Sequence, residues 1–256
     1  PKRGRQDREK VTTVVGAFGR DATEAWDTLM AIRDRHLEHI TRTIGMSVTD
    51  QLASMDRGEI AWQTASWAKR VRDAMLLNLC IRVPLRRGTA NALRLWLAGD
   101  PQIDDVSAVW KSSHSERPWE GALSLDCSPG CMKSGVAFHP AIMLDRSVGD
   151  SLAEASLRRA VFALYLHPLG ARAMLLGRGK EDHGWMWLRS GGHRLRGSNV
   201  IIRRLICSYG PALGVDIDRL AAVGGLGLHV TQRPLGARLK SHAQIKANQT
   251  ENQRSE

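Results

Sequence analysis

The sequence holds no apolar run that approaches the roughly 18 residues a membrane-spanning helix needs. Its longest, Ala74–Ile81 and Ala160–Leu166, fall well short. No membrane partner is expected. Cysteine is scarce, at four residues, too few for a disulfide-built scaffold. Cys80 and Cys207 sit in apolar runs and read as small core residues. Cys127 and Cys131 enclose a C-x3-C spacing, but no second ligand pair follows and His139 does not complete a set, so no zinc site is expected. Thiols used this sparingly fit a reducing, cytoplasmic setting. Tyrosine is scarcer still: Tyr165 and Tyr209 are the only two. There is no Gly-rich phosphate loop, no G-x-S-x-G and no paired-His metal motif. Gly224, Gly225 and Gly227 form a weak fragment that reads as a loop. No cofactor, no metal and no small-molecule substrate are expected. The first ten residues, PKRGRQDREK, are charged and polar, without the apolar stretch of a secretory signal.

Positive charge is what the chain has in excess. Lysine and arginine total 37 against 26 acidic residues, a formal charge of +11. Cations in that excess attract polyanions, and nucleic acid comes first because phosphate neutralisation releases condensed counterions. Arginine carries most of the charge, and its planar fork suits phosphate oxygens and guanine edges. The apolar fraction of 43% and charged fraction of 25% are those of a folded protein with a core.

The pattern predicts a mainly α protein with a small antiparallel β-hairpin. Asp21 and Glu24 have capping-box spacing. Trp26, Leu29, Met30, Leu37, Ile40 and Ile44 then follow a helical period that Gly45 can stop. Short helices are expected at 49–55 and 59–69, then a strongly apolar helix at 72–81 broken by Pro84. Another is expected at 89–97, with Ala90, Leu93 and Leu97 inward. Trp26, Trp62 and Trp67 read as core. Residues 106–111 and 119–125 read as paired strands. Further helices are expected at 150–166, at 198–209 with Ser198 as cap, and at 216–223. The polar tail, 241–256, reads as disordered. The expected organisation is a helical domain over 1–70 and a second domain over 71–240, with the boundary near 68–72.

Some of these segments resemble a known family. RDAMLLNLCIRVPLRRGTANALRLW, residues 72–96, is similar to the first box of the tyrosine recombinases, or phage integrases. There an apolar helix leads into a Leu-Arg turn and then an Ala-Leu-Arg-Leu segment. The stretch AVWKSSHSERPWEGALSL, residues 108–125, resembles the hairpin of that family. GWMWLRSGGHRLRGSNVIIRRLI, residues 184–206, resembles the segment before its second box. The resemblance spans about Arg72 to Val215. It implies that residues 1–70 are a core-binding domain that clamps DNA, and that Arg86 is the first catalytic arginine and Lys111 the hairpin lysine. In the family a tyrosine attacks a DNA phosphate to form a 3′-phosphotyrosyl link. Two arginines and a His or Trp stabilise the charged transition state, and the lysine acts as general acid. No metal takes part.

The second box departs from that pattern. After ALGVDI the family has His-x-x-Arg, then Leu-Gly-His, then the tyrosine, where this chain reads DRLAAVGGLGLHVTQRPLGARL. His193 and Arg196 have the His-x-x-Arg spacing but lie early, in the turn before the Ser198 helix. A gapless alignment sets Arg203 on the second arginine, Val200 on the histidine and Leu235 on the tyrosine. His229 with Arg233 imitates the box weakly. Neither tyrosine follows it. The expectation is a protein of the recombinase type that binds double-stranded DNA as a possible homo-oligomer, nucleoid-associated, and is deficient in cleavage. The alternative is a non-catalytic basic helical DNA-binding protein unrelated to recombinases.

Overall fold

The first long helix starts where its capping box predicts. Asp21 Oδ1 accepts from the amides of Thr23 and Glu24, at 2.8 and 3.0 Å. The Glu24 carboxylate turns back to accept from the Arg20 amide at 2.7 Å, so donors without an intrahelical partner are met from both directions. In this computed structural model, which describes residues 12–82, 87–96, 107–111, 119, 122–126, 141–142 and 151–222, a short helix α1 (12–18) precedes α2 (Ala22–Ile44). Gly45 ends α2 at φ +74°, a left-handed turn that other residues enter at a cost. Helices α3 (Val48–Asp56) and α4 (Ala65–Arg82) follow.

Of the helix expected at 59–69, only residues 65–69 are helical, as the start of α4. The chain turns at Gly58, φ +77°, and Ser54 and Trp62 side chains donate to the Glu59 carbonyl at 2.5 and 2.7 Å. Thr64 then caps α4 by accepting from the Trp67 amide at 3.1 Å. From there α4 runs unbroken through residues 68–72, where the domain boundary was expected, and every residue from Val71 to Ile81 is buried. Such a helix is a core element rather than a surface one.

Helix α5 (Arg87–Ala92) stops short of its expected end, and strand β1 (Arg94–Trp96) takes its place. Leu93 and Leu95 are buried with half-buried Arg94 between them, an alternation with the period of a strand. Strands β2 (Ser107–Lys111) and β3 (Ala122–Asp126) form the expected antiparallel pair, with Lys111 opposite Ala122. The rest of the sheet was not anticipated: β1 lies parallel to β2, and β4 (Ala141–Ile142) pairs with β3. Helices α6 (Leu152–Leu166), α7 (Ala171–Leu176), α8 (Ser198–Tyr209) and α9 (Ile217–Ala222) complete the described residues. Ser151 caps α6 by accepting from the Glu154 amide at 3.1 Å. The described residues are mostly helical, and no helix among them is long and apolar enough to cross a membrane.

The chain forms two compact units. One takes residues 12–35, 78–82 and 199–222, and the other 36–77 and the described residues from 87 to 198. The division falls inside α2, inside α4 and at the start of α8. The first unit buries Val14, Phe18, Trp26, Leu29, Ile202 and Ile206. It also buries Arg33, whose Nη1 donates to Asn78 Oδ1 at 3.1 Å and whose Nη2 pairs with Asp34 at 2.6 Å. The second unit buries Trp67, Met75, Phe162, Tyr165 and Trp187, each contributing about 1.5–3 kcal/mol by leaving water. Trp67 and Trp26 are buried, as expected of core tryptophans, whereas Trp62, edge-on to Trp67 with centroids 5.0 Å apart, is only half-buried. Cys80 is buried as expected, but Cys207 is exposed. Its apolar run lies on α8, and residues 207 and 208 fall on the outer side of that helix.

Candidate nucleic-acid interface

In the second unit, residues 184–195 make a small hairpin against β1. The Leu95 amide donates to the Gly184 carbonyl at 2.6 Å and the Met186 amide to the Leu93 carbonyl at 3.0 Å. Across the hairpin, the Arg189 amide donates to the His193 carbonyl at 2.7 Å and the Leu195 amide to the Trp187 carbonyl at 2.9 Å. The tip is Gly191 and Gly192, at φ +84° and +78°. Two consecutive positive φ values are easy only for glycine.

The segment's backbone is gripped from three helices. Tyr165 on α6 donates its hydroxyl to the Met186 carbonyl at 2.6 Å. Arg172 on α7 donates to the Trp185 carbonyl at 2.8 Å, and Arg72 on α4 to the Leu188 carbonyl at 3.0 Å. With the Leu95 and Leu195 amides, these donors satisfy every carbonyl from Gly184 to Leu188. Met186, Trp187 and Leu188 are thereby held inward, fully buried, while Trp185 remains half-exposed.

Trp185 gathers two cations. The guanidinium carbons of Arg94 and Arg194 lie 3.5 and 4.3 Å from its ring centroid, within cation–π range. Arg94 also donates to the His183 carbonyl, and Arg194 Nε to the Asn91 carbonyl at 2.9 Å. Burial, and then the neighbouring Arg194 charge, lower the pKa of Arg94 from its ordinary value. Among the described residues neither guanidinium meets a carboxylate. The stretch 171–198 holds Arg172, Arg178, Lys180, Arg189, Arg194 and Arg196 against Glu181 and Asp182. All of these cations but Arg172 and Arg194 are exposed. One of the two acids is already neutralised: Arg172 forks onto both Asp182 oxygens, at 2.5 and 2.7 Å. This stretch is a strip of mostly basic residues along the chain, with its backbone fixed from Gly184 to Leu188.

Asp182 sets one pH dependence. Partial burial raises its pKa, but the hydrogen bonds and charge of Arg172, with the Gly184 amide at 2.8 Å, outweigh this and hold the carboxyl below its ordinary value. A depressed pKa means a contribution that is fully present above the unfolded value of about 3.9 and lost as pH falls through the lower folded value. The urea midpoint of Asp182→Asn is therefore expected to lie below that of the wild type at neutral pH and to converge on it in acid. A gap that stays constant into acid would show that Asp182 acts through shape alone. The effect is small because the side chain is more than a third exposed.

The residues expected from sequence fare unevenly. Lys111 ends β2, and Arg203 is exposed on α8. Arg86, His229 and Arg233 lie outside the described residues, as do Cys127, Cys131, His139 and the expected tail. His193 and Arg196 are exposed on the strip itself. Tyr165 is fully buried, its phenol pushed up to about 12 by burial. Trp185 and Arg194 were visible in the sequence only as part of an aromatic and basic stretch. Their pairing with Arg94, about 90 residues earlier, has no local signal. Among the described residues no group of three or more His, Cys, Asp or Glu side chains is arranged to hold a metal ion. No family model, no curated protein and no solved structure matches the chain.

Proposed function

We propose that the chain binds double-stranded DNA and is of the tyrosine-recombinase type, without a cleavage nucleophile of its own. The observation that carries the DNA-binding part is the pair Arg94 and Arg194, set together on Trp185 with no carboxylate among the described residues to neutralise them. Cations fixed beside each other repel unless an anion lies between them. The surrounding strip repeats the same sign, so the anion it fits is an extended one. His193 and Arg196 are exposed on this strip and carry the His-x-x-Arg spacing, which supports the recombinase part together with the resemblance of residues 72–96 and 108–125. On this reading the helices before residue 70 clamp DNA, residues 71–240 correspond to the catalytic domain, and copies assemble on DNA in the nucleoid.

The cleavage-deficient part is supported by the sequence, where neither tyrosine follows the second-box segment, and by the state of Tyr165. Tyr165 has its hydroxyl committed to the Met186 carbonyl and its pKa raised, so it is neither reachable nor easily ionised. The test is a nicked suicide duplex incubated with the full chain and run on denaturing and native gels. The expected result is no covalent band, with retention on the native gel that weakens steeply between about 50 and 200 mM salt. A covalent band abolished by Tyr209→Phe would overturn the cleavage-deficient reading. No retention at low salt would overturn DNA binding.

A further inference from the structure

The ring of Trp185 is not an open platform. Arg94 and Arg194 both sit over it, at 3.5 and 4.3 Å, where a stacked base would otherwise lie. Each guanidinium is also tied back through one N–H, Arg94 to the His183 carbonyl and Arg194 to the Asn91 carbonyl. Asn91 is fixed in turn, its amide group donating to the Arg196 carbonyl at 3.1 Å and accepting from the Ser198 amide at 3.2 Å. The forks are thus oriented before any ligand arrives, with N–H donors left over on each. Two oriented forks match the geometry of phosphate oxygens, which accept paired N–H bonds. A cluster whose indole is covered by its own cations is poorly suited to base stacking.

We propose that Arg94 and Arg194, held on the Trp185 indole, form a clamp for the phosphate oxygens of a nucleic-acid backbone, with Trp185 a positioning residue rather than a stacking surface. The proposal rests on the DNA-binding reading above and specifies which part of the DNA the site contacts. The clamp carries no sequence information, since phosphates are the same at every step.

The test measures binding of the full chain to labelled duplexes of AT-rich and GC-rich sequence across a salt series. Arg94→Gln and Arg194→Gln are each expected to lower the slope of log affinity against log salt by about 0.9, equally on both duplexes. Arg94→Lys and Arg194→Lys keep the charge, so they should keep the slope while losing part of the affinity. Trp185→Leu should keep the slope and weaken binding by about 2- to 5-fold, the size of an exposed cation–π contact.

A glutamine variant that loses affinity on one duplex only would overturn the clamp in favour of base reading. Lysine variants with full affinity would show that the planar stack is irrelevant and would overturn it as well. So would Trp185→Leu weakening a single-stranded oligonucleotide far more than a duplex, which is the mark of a stacking surface. Inorganic phosphate that displaces duplex at matched ionic strength would place a free anion, not a backbone, in the site. If the glutamine variants bind with the wild-type slope, the clamp fails while DNA binding stands. If the wild type itself retains no duplex at low salt, the DNA-binding reading fails first.

Discussion

Asp73→Ala is expected to lower stability by about 3–5 kcal/mol, because it strands a buried guanidinium without its carboxylate. Arg72 donates through Nε and Nη2 to Asp73 Oδ1, at 2.9 and 2.7 Å, and both side chains are buried on α4. The third contact of Arg72 is the Leu188 carbonyl at 3.0 Å, so the same loss loosens the hairpin that carries Trp185. Urea unfolding followed by far-UV circular dichroism gives the stability term, and duplex retention at fixed salt should fall with it. The double variant Arg72→Met with Asp73→Leu should recover most of the stability, since an apolar pair of similar volume leaves no buried charge behind. It should not recover the grip on Leu188, so its duplex affinity should stay below that of the wild type. A single variant that loses less than about 1 kcal/mol would mean that Arg72 reaches water, contrary to its burial.

Trp67→Ala is expected to cost a similar amount, about 3–5 kcal/mol, by a different route. The ring is 2% exposed and supports Trp62 edge-on. Its Nε1 donates to Gln51 Oε1 at 2.8 Å, and Gln51 Nε2 donates to the Met46 carbonyl at 3.0 Å. Removing the ring therefore opens a cavity and also leaves the acceptor on Gln51 unmet. Trp67→Phe separates the two effects. It keeps much of the volume and loses the hydrogen bond, and should cost about 1–3 kcal/mol for the unsatisfied partner together with a smaller cavity term. Equal losses for the two variants would show that packing at this position contributes little.

The helices were legible wherever a local signal marked their ends. Asp21 and Gly45 delimit α2, and the apolar run at 72–81 is indeed buried; α8 starts at Ser198, but the expected cap is absent, since the buried Ser198 hydroxyl has no hydrogen-bond partner among the described residues. Legibility failed where a short-range cue competed with a distant one. Glu59 to Lys69 has helical spacing, yet Ser54 and Trp62 close a turn on the Glu59 carbonyl and Thr64 resets the start. Residues 93–96 look like the end of a helix until Gly184 and Met186 pair with them, a partnership from across the chain that no window of sequence contains. Cys207 failed for a simpler reason: composition says that a run is apolar, whereas the helical period decides which of its members face out.

The proposed interface was half legible. The stretch 184–196 stood out for its tryptophans and arginines, and Lys111 was placed at a strand end, where it is found. Arg94 was read as one letter of a helical pattern, and its meeting with Trp185 depends on a strand that was not foreseen. Arg172 and Asp182 have no sequence signal, because a bidentate pair ten residues apart follows neither helix nor strand spacing. Arg86, His229 and Arg233 lie outside the described residues.

The complete satisfaction of the carbonyls from Gly184 to Leu188 bears on how this surface would meet the proposed DNA. Three side-chain donors from separate helices and two backbone amides leave that stretch of chain almost no alternative path. A loop of equal charge but free backbone would have to become ordered on association, at a cost in entropy. Here that ordering is complete once the second unit has folded, and the rearrangement that remains falls on the exposed arginine side chains and on whatever they hold.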